Sequence, residues 1–321
     1  MNITDKVYGE LTITEPILLE LLESSELERL KKISQYGVPD KYCHKKNFNR
    51  YEHSVGVMLL LRILGASVQE QVAGLLHDVS HSSFSHVVDW VFGEGVNGKE
   101  NFQDNFHDEY IKKTTIPKIL KKHGLSIADV VNNPSHTLLE SDLPDICADR
   151  VDYTLRETST DKSGINIQKI IDSLKAFDNR IIFTSPEEAK TFAIQYLYLQ
   201  KTNWGSLEAR MDFALLGDAL KSALNLEIIH KDDLWEKDEE ELLEILETSE
   251  DSKIQFCLKE LASKKPKVAE KRYSNKKVRF VDPLIVRGGK LCRLSELDHD
   301  FAVAMKKSIE DSKRVTVLPH Y

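Results

Sequence analysis

The sequence lacks the features of a membrane-spanning, exported or disulfide-stabilised protein. No apolar run exceeds five residues, whereas a membrane-spanning helix needs about 20. The first residues include Asp5 and Glu10 and show no basic start followed by an apolar stretch, so no export signal is expected. The cysteines form no CxxC pair, which argues against a disulfide framework and a thiolate zinc site; they are Cys43, Cys147, Cys257 and Cys292. We therefore expect a cytoplasmic protein with reduced thiols and no membrane association.

Acidic and basic residues are unevenly distributed along the chain. Its 321 residues are 41% hydrophobic and 30% charged, with a net charge of −8, as is ordinary for a globular protein. Residues 231–262 hold 12 acids and 4 bases, whereas residues 263–279 hold 8 bases and 1 acid. The acidic stretch, with a buried stripe that includes Leu242 and Leu246, predicts a solvated helix face. A solvated face is also favoured for the basic stretch, which could alternatively contact phosphate, nucleic acid or a neighbouring subunit. Because the whole chain is acidic, nucleic-acid binding is possible but not favoured.

Histidine is concentrated in one part of the chain. Six of the eleven histidines fall within residues 44–107, where an even spread would place about two. They are His44, His53, His77, His81, His86 and His107. Imidazole binds metals and transfers protons near neutral pH. The concentration predicts a metal-binding or catalytic site, from which we leave out His44, because it stands beside two lysines and is expected in a solvated loop.

The hydrophobic pattern predicts a mostly helical protein. Apolar residues recur at helical spacing in residues 17–33, 55–64 and 68–79, and Ser67 with Glu70 has the spacing of a capping box. From residue 277 onward, β-branched runs separated by proline and glycine predict a small antiparallel sheet. We predict two domains, a catalytic domain of residues 1–230 and a C-terminal extension of residues 231–321.

Four short segments carry the residues that suggest chemistry: NRYEHS at 49–54, HDVSHSSFSH at 77–86, FHDEY at 106–110 and ADRVDY at 148–153. A histidine that opens one helix, a His-Asp pair that closes the next and an aspartate on a distant helix can converge on one ion. Mixed nitrogen and oxygen ligands suit Mn, Fe, Zn or Mg. Such a metal lowers the pKa of bound water and polarises a phosphoryl oxygen.

The other polar residues of these segments suit phosphate chemistry. His81, His86 and His107 are too many for one coordination sphere and are predicted to act as acid, base or phosphate donors. Arg50, three residues before His53, offers a guanidinium group to a phosphate. The set predicts hydrolysis of a phosphoester or phosphoanhydride.

Through NRYEHSVGV and LLHDVSHSSFSH, the chain resembles the HD-domain phosphohydrolases, and within them the branch of the deoxynucleoside triphosphate triphosphohydrolases. The resemblance covers roughly residues 6–225 and implies a mostly helical HD-domain fold, here with a small C-terminal α+β extension. It implies one divalent metal ion with the ligands His53, His77, Asp78 and Asp149. It also implies a catalytic shell of His81, His86, Asp89, His107 and Asp108, the last in place of the usual glutamate.

The same resemblance implies contacts to a nucleotide substrate. Gln35 matches a residue that approaches the sugar, and Arg50 and Arg150 match phosphate contacts. Tyr153 is expected to pack against the sugar, and Glu157 replaces an aspartate that receives the 3′-hydroxyl. Residues 187–220 show no recognisable Arg and His-Lys set for the outer phosphates. We also expect a homo-oligomer, either a dimer or a tetramer.

These observations predict a metal-dependent nucleotide phosphohydrolase. The first expectation is hydrolysis of deoxynucleoside triphosphates to nucleoside and triphosphate. One alternative is another phosphate ester, such as a nucleoside monophosphate or a signalling nucleotide. The other is a regulatory module that binds metal and nucleotide without significant turnover, which the abundance of proton-transfer groups disfavours.

Overall fold

Helices account for most of the chain that the computed structural model describes, namely residues 1–43, 48–93, 95–97, 99, 106–131, 133–161, 163–263, 270–274 and 277–320. Seventeen α-helices lie within these ranges, which confirms the predicted, mostly helical fold. His44 and residues 264–269 of the basic stretch lie outside the described residues. None of the helices described there is both long and apolar enough to span a membrane.

A hairpin and three helices form the N-terminal part. Strands β1 (Asn2–Asp5) and β2 (Gly9–Thr12) pair antiparallel and lead to α1 (Pro16–Leu22), α2 (Ser25–Arg29) and α3 (Arg50–Ile63). α3 begins with a capping box. The Asn49 side chain accepts a hydrogen bond from the Glu52 amide, and the Glu52 side chain accepts one from the Asn49 amide. The capping box fixes the start of α3 and places the residues of NRYEHS on its first turns.

The next helix, α4 (Val68–Leu76), is tied to a distant segment. Ser67 caps it by accepting a hydrogen bond from the Glu70 backbone, as predicted. The Glu70 carboxylate instead accepts hydrogen bonds from the amides of Leu138 and Leu139, over 2.8 and 3.1 Å. The second half of the predicted capping box is therefore wrong, because Glu70 joins α4 to the segment that leads to α9.

Shorter helices and α9 follow; they are α5 (Val87–Phe92), α6 (His107–Lys112), α7 (Ile116–Lys122), α8 (Ile127–Val130), α9 (Ala148–Thr160) and α10 (Ile167–Ser173). α3 packs against both α4 and α9. This packing brings the histidine-rich segments and the ADRVDY segment to the same side of the molecule.

The strands near the C-terminus join a strand pair from the middle of the chain. β3 (Leu174–Phe177), β4 (Arg180–Phe183), β6 (Leu284–Arg287) and β7 (Lys290–Arg293) form one sheet in this order. Its pairs are antiparallel except for β4 and β6, which are parallel. A second, antiparallel sheet contains β5 (Glu270–Ser274) and β8 (Thr316–His320). The predicted C-terminal strands are confirmed, but the larger sheet is mixed.

The remaining helices continue from this sheet; they are α11 (Pro186–Leu199), α12 (Leu207–Asn225), α13 (Asp233–Glu236), α14 (Glu239–Thr248), α15 (Ser252–Ser263), α16 (Leu294–Leu297) and α17 (His299–Ser312). A π-helical segment, residues 200–204, joins α11 to α12. Leu215 of α12 and Leu242 of α14 share one apolar cluster with Phe84. The acidic stretch therefore has a buried side, and its Glu239 is 6% exposed. The domain division at residue 230 stays a prediction.

Candidate active site

Three helices bring a group of candidate metal ligands together. His53 lies on α3, His77 directly follows α4, and Asp149 lies in the first turn of α9. His53 Nε2 is 3.0 Å from Asp149 Oδ1 and 3.2 Å from His77 Nε2. One ligand atom from each residue lies within 4.8 Å of the others. These predicted ligands therefore converge at one point.

Asp78, the fourth predicted ligand, stands beside the same point. Its Oδ2 is 3.7 Å from His53 Nε2, and its Oδ1 is 3.6 Å from His77 Nε2. Asp78 Oδ2 also forms an ion pair with the guanidinium group of Arg50, which is 1% exposed. Arg50, predicted to contact phosphate, thus holds the side chain of a predicted metal ligand.

The arrangement of these atoms fits a divalent cation. Metal–ligand bonds of about 2.0–2.2 Å place neighbouring ligand atoms roughly 3 Å apart. The separations of 3.0 and 3.2 Å around His53 Nε2 match that spacing. Two imidazole nitrogens that face each other so closely need a proton or a cation between them. Mixed nitrogen and oxygen donors suit the predicted kind of ion.

Both histidines are held in the tautomer that metal binding requires. His53 Nδ1 lies 2.7 Å from Asp152 Oδ2, and His77 Nδ1 lies 2.8 Å from the carbonyl oxygen of Gly74. Because these acceptors keep the proton on Nδ1, the Nε2 lone pairs are directed at the common point. Asp152 also accepts a hydrogen bond from Arg156 Nε over 2.9 Å, and both of these side chains are buried.

The electrostatic environment favours positive charge at the common point. Burial lowers the pKa of His77, but Asp78 and Asp149 outweigh it and raise that pKa to about 10. Burial raises the pKa of Asp149, but His53 and His77 outweigh it and hold that pKa well below its usual value. An ionised carboxylate in this position stabilises either a protonated imidazole or a divalent cation.

The other predicted catalytic histidines lie around Asp78. His81 Nε2 is 3.2 Å from Asp78 Oδ1, and His81 and His107 both line the cleft above it. Burial, with the charge of Arg50, lowers the pKa of His81 to about 3. Burial, with the charge of His77, lowers the pKa of His107 to about 4. Both imidazoles are therefore neutral near pH 7 and can accept or donate a hydrogen bond there.

The two carboxylates predicted for the catalytic shell do not line the described cleft. Asp89 is fully buried, and its Oδ2 is 3.1 Å from Nδ1 of His86, which lines the cleft. Asp108 is half-exposed on α6 and pairs with Lys112. The structure thus places Asp89 where it orients His86, whereas Asp108 is not among the described residues that line the cleft. Catalytic roles for both carboxylates stay predictions.

A cleft of about 750 Å³ opens over the candidate metal ligands, and a volume of this size suits a nucleotide. All the predicted substrate contacts line it; they are Gln35, Arg50, Arg150, Tyr153 and Glu157. The amide oxygen of Gln35 is buried and has no hydrogen-bond partner among the described residues. An unpartnered buried acceptor in a cleft is well suited to a ligand donor.

The π-helical segment forms one wall of the cleft. Its Trp204 donates a hydrogen bond from Nε1 to Glu157 Oε1 over 3.0 Å, and its Asn203 donates to the other oxygen of Glu157. The Trp204 ring also meets the Tyr153 ring edge to face, with 4.9 Å between their centroids. π-helical turns occur frequently at functional sites. Two of the three residues predicted to contact the sugar, Tyr153 and Glu157, are therefore held by one segment.

Several cleft residues were not predicted individually, although two of them belong to the basic stretch of residues 263–279 that could contact phosphate. Lys277 and Arg279 reach the cleft from the C-terminal part of the chain, and Glu140 reaches it from the segment before α9. No local motif marks these positions. Asp152 does carry a signal, because it stands three residues after Asp149 and so lies on the same face of α9.

Comparison with known proteins relates the chain to one family. A model of the HD domain matches residues 50–157. The chain is 38% identical over 299 residues to the uncharacterized protein YdhJ of Bacillus subtilis, covering 89% of this chain and 88% of that protein. It is 37% identical over 212 residues to the metal-dependent phosphohydrolase cns2 of Cordyceps militaris, covering 64% of this chain and 61% of that protein.

Two more distant similarities agree with these matches. The deoxynucleoside triphosphate triphosphohydrolase SAMHD1 of Xenopus laevis is 27% identical over 145 residues, which are 39% of this chain and 23% of that protein. The crystal structure of a phosphohydrolase from Bacteroides thetaiotaomicron has a TM-score of 0.74 at 16% identity, covering 99% of this chain and 98% of that one. This second similarity shows the same fold. The chain belongs to the HD-domain phosphohydrolases, which are metal-dependent.

Proposed function

We propose that this HD-domain protein hydrolyses deoxynucleoside triphosphates to deoxynucleoside and inorganic triphosphate. The observation that carries the proposal is the group of His53, His77 and Asp149 at a cleft that also contains the predicted sugar and phosphate contacts. The similarity to SAMHD1, whose name states this activity, supports the choice of substrate.

The residues of the cleft have distinct roles in this proposal. His53, His77, Asp78 and Asp149 would hold the divalent ion, which supplies an acidified water and polarises a phosphoryl oxygen when bound. Arg50 neutralises part of the charge of Asp78 and holds its side chain. His81 and His107, both neutral near pH 7, are suited to form hydrogen bonds to the attacking water and to phosphate oxygens. His86, oriented by Asp89, is suited to donate a hydrogen bond to a phosphate.

Positive charge along the cleft supports an anionic substrate. Arg150, Lys277 and Arg279 line it. None of the basic residues of α11 and α12 is part of the described cleft lining. Lys277 and Arg279 therefore offer, from the C-terminal part of the chain, the outer-phosphate contacts that residues 187–220 lack.

Metal-dependent turnover of a nucleotide panel tests the proposed function. We expect the purified protein with Mn, Mg, Fe or Zn to release inorganic triphosphate from deoxynucleoside triphosphates, and to lose this activity when a chelator removes the metal. Release of pyrophosphate or phosphate would show that a different bond is cleaved. If no triphosphate, monophosphate or cyclic nucleotide were hydrolysed, the regulatory module would replace the enzyme as the best interpretation.

Replacing both Lys277 and Arg279 with alanine tests the phosphate contacts. A hydrogen bond to a charged group contributes about 1.5–3 kcal/mol, and solvent screening reduces this value because Lys277 is exposed. We expect the KM for a deoxynucleoside triphosphate to rise roughly tenfold, with a smaller change for a monophosphate. The double variant Arg287→Ala with Lys290→Ala, which removes one exposed arginine from β6 and one exposed lysine from β7, is the charge-matched control. Equal changes for both substrates would contradict a role at the outer phosphates.

The homo-oligomeric state and the cytoplasmic location stay predictions. Sedimentation of the purified chain with and without a deoxynucleoside triphosphate measures whether it is a monomer, dimer or tetramer. The same experiment shows whether the nucleotide changes that state.

A further inference from the structure

The loop of residues 77–86, here called the histidine loop, joins α4 to α5 and carries His81 and His86. Two of its residues, Phe84 and Ser85, have φ angles of +62° and +41°. This left-handed region is unfavourable for residues other than glycine. The loop therefore needs contacts from elsewhere to stay in this conformation.

Arg29 provides two such contacts, to the carbonyl oxygens of Val79 and His81, and several others come from residues 234–239, here called the support segment. The carbonyl oxygen of Leu234 accepts a hydrogen bond from the Ser83 amide over 2.8 Å, and that of Lys237 accepts one from the Ser83 hydroxyl over 2.7 Å. Trp235 donates from Nε1 to the carbonyl oxygen of Ser80 over 2.9 Å. A segment more than 150 residues away in the chain thus holds two points of the histidine loop.

Glu239 provides the most buried of these contacts. Its Oε1 accepts hydrogen bonds from the amides of Ser34 and Phe84, over 3.0 and 3.1 Å, and its Oε2 accepts one from the Ser34 hydroxyl. Burial raises the pKa of Glu239 to about 7, although the same three hydrogen bonds lower it. The carboxyl group therefore fixes Phe84 at the start of the left-handed pair of residues.

The position of this pair affects the candidate metal site directly. The Ser85 hydroxyl accepts a hydrogen bond from Arg50 Nε over 2.7 Å and donates one to the carbonyl oxygen of Ser34 over 3.2 Å. The same Arg50 guanidinium forms the ion pair with Asp78. A shift of Phe84 and Ser85 would therefore move Arg50, and with it Asp78.

The support segment also reaches the third catalytic histidine. The rings of Trp235 and Phe106 have centroids 6.1 Å apart, and Phe106 directly precedes His107. Trp235 also holds Ser80 by its hydrogen bond to the Ser80 carbonyl oxygen. The hydroxyl of the same serine lies 2.9 Å from His107 Nδ1.

We propose that residues 234–239 position the catalytic histidines and Asp78, and that Glu239 is the main positioning residue of this segment. The proposal extends the proposed function and rests on it for the catalytic role of the histidines. Glu239 acts here by accepting hydrogen bonds, so its negative charge is not required. A glutamine at this position has an oxygen for the two backbone amides and an amide group that can donate to the Ser34 hydroxyl.

The test compares Glu239→Ala with Glu239→Gln in the full chain. We expect Glu239→Ala to speed amide hydrogen exchange in residues 80–86 and to weaken Mn²⁺ binding roughly tenfold or more, because the Ser34 and Phe84 amides lose their buried acceptor. Turnover is expected to fall with Mn²⁺ affinity. Glu239→Gln is expected to keep exchange, Mn²⁺ affinity and turnover within about threefold of the original protein.

Asp282→Ala is the matched control. Asp282 is 6% exposed and accepts hydrogen bonds from the amide and hydroxyl of Ser295, over 3.0 and 2.6 Å, but it holds α16 instead of the histidine loop. Unchanged exchange in residues 80–86 of Glu239→Ala, equal losses in Glu239→Gln, or the same losses in Asp282→Ala would each overturn the proposal. Amide exchange and Mn²⁺ binding need no substrate, so these two measurements test the positioning role even if the original protein hydrolyses no nucleotide. Absence of hydrolysis would overturn only the proposed function.

Discussion

Asp78→Ala is expected to abolish metal binding and turnover while most of the helical content remains. Asp78 is one of the four predicted ligands, and the lost polarisation of a phosphoryl group is worth several kcal/mol. Since about 1.4 kcal/mol corresponds to a factor of ten in rate, turnover should fall by roughly 1,000-fold or more. Mn²⁺ titration calorimetry, the rate of nucleotide hydrolysis and far-ultraviolet circular dichroism measure the three expected outcomes.

The same substitution leaves the Arg50 guanidinium without its carboxylate partner at 1% exposure. Breaking a buried ion pair in this way costs about 3–5 kcal/mol of stability. The double variant Arg50→Met with Asp78→Ala removes the uncompensated charge, so we expect it to recover part of the stability without recovering Mn²⁺ binding. This pair of variants separates the role of Asp78 at the metal from its role in folding.

Glu70→Ala controls for the loss of any buried carboxylate. Glu70 is 7% exposed, is not among the described residues that line the cleft, and accepts backbone hydrogen bonds from Leu138 and from the cleft residue Leu139. The Glu70→Ala substitution should lower the free energy of unfolding and leave the Mn²⁺ affinity close to that of the original protein. Full activity in Asp78→Ala would reject the predicted ligand set.

The sequence was sufficient to predict the helices that carry the candidate metal ligands. The apolar spacing around His53 and before His77 indicates buried helices, and the structure places them in α3 and α4. Their convergence with Asp149 could not follow from spacing alone, because nearly 100 residues separate His53 from Asp149. The resemblance to the HD-domain phosphohydrolases supplied that long-range relation.

Contacts that depend on a remote segment were not predictable in this way. Glu239 lies in residues 231–262, which hold 12 acidic residues, and this composition indicates exposure to solvent. Its burial results from the packing of α14 against the core that contains Phe84. The periodicity of α14 places Glu239 on the same face as the buried Leu242 and Leu246, but neither this periodicity nor the histidine motif indicates that the face packs against Phe84. Lys277 and Arg279 belong to the basic stretch that could contact phosphate, but their place in this cleft could not be predicted, because it depends on the packing of a segment remote in the chain.

The second large effect is expected for Asp152→Asn, although Asp152 binds no metal in the predicted ligand set. Asp152 accepts from His53 Nδ1 on one side and from Arg156 on the other. An asparagine that turns its oxygen to Arg156 presents its NH₂ group to His53. His53 Nδ1 must then act as the acceptor, so the proton moves to Nε2, the atom directed at the metal. We expect Mn²⁺ affinity to fall about 10- to 100-fold, as measured by calorimetry.

Asp5→Asn separates this tautomer effect from a general loss of stability. Asp5 pairs with the other end of Arg156, with 2.9 Å between Arg156 Nη2 and Asp5 Oδ2, and no described contact joins it to His53. It should lower the free energy of unfolding but keep Mn²⁺ affinity within about threefold, because the Nδ1 proton of His53 keeps its acceptor. Nitrogen chemical shifts of His53 report the tautomer directly. Asp152→Asn with unchanged tautomer and unchanged Mn²⁺ affinity would show that the carboxylate only stabilises the fold, because metal binding would then not depend on the acceptor behind the imidazole.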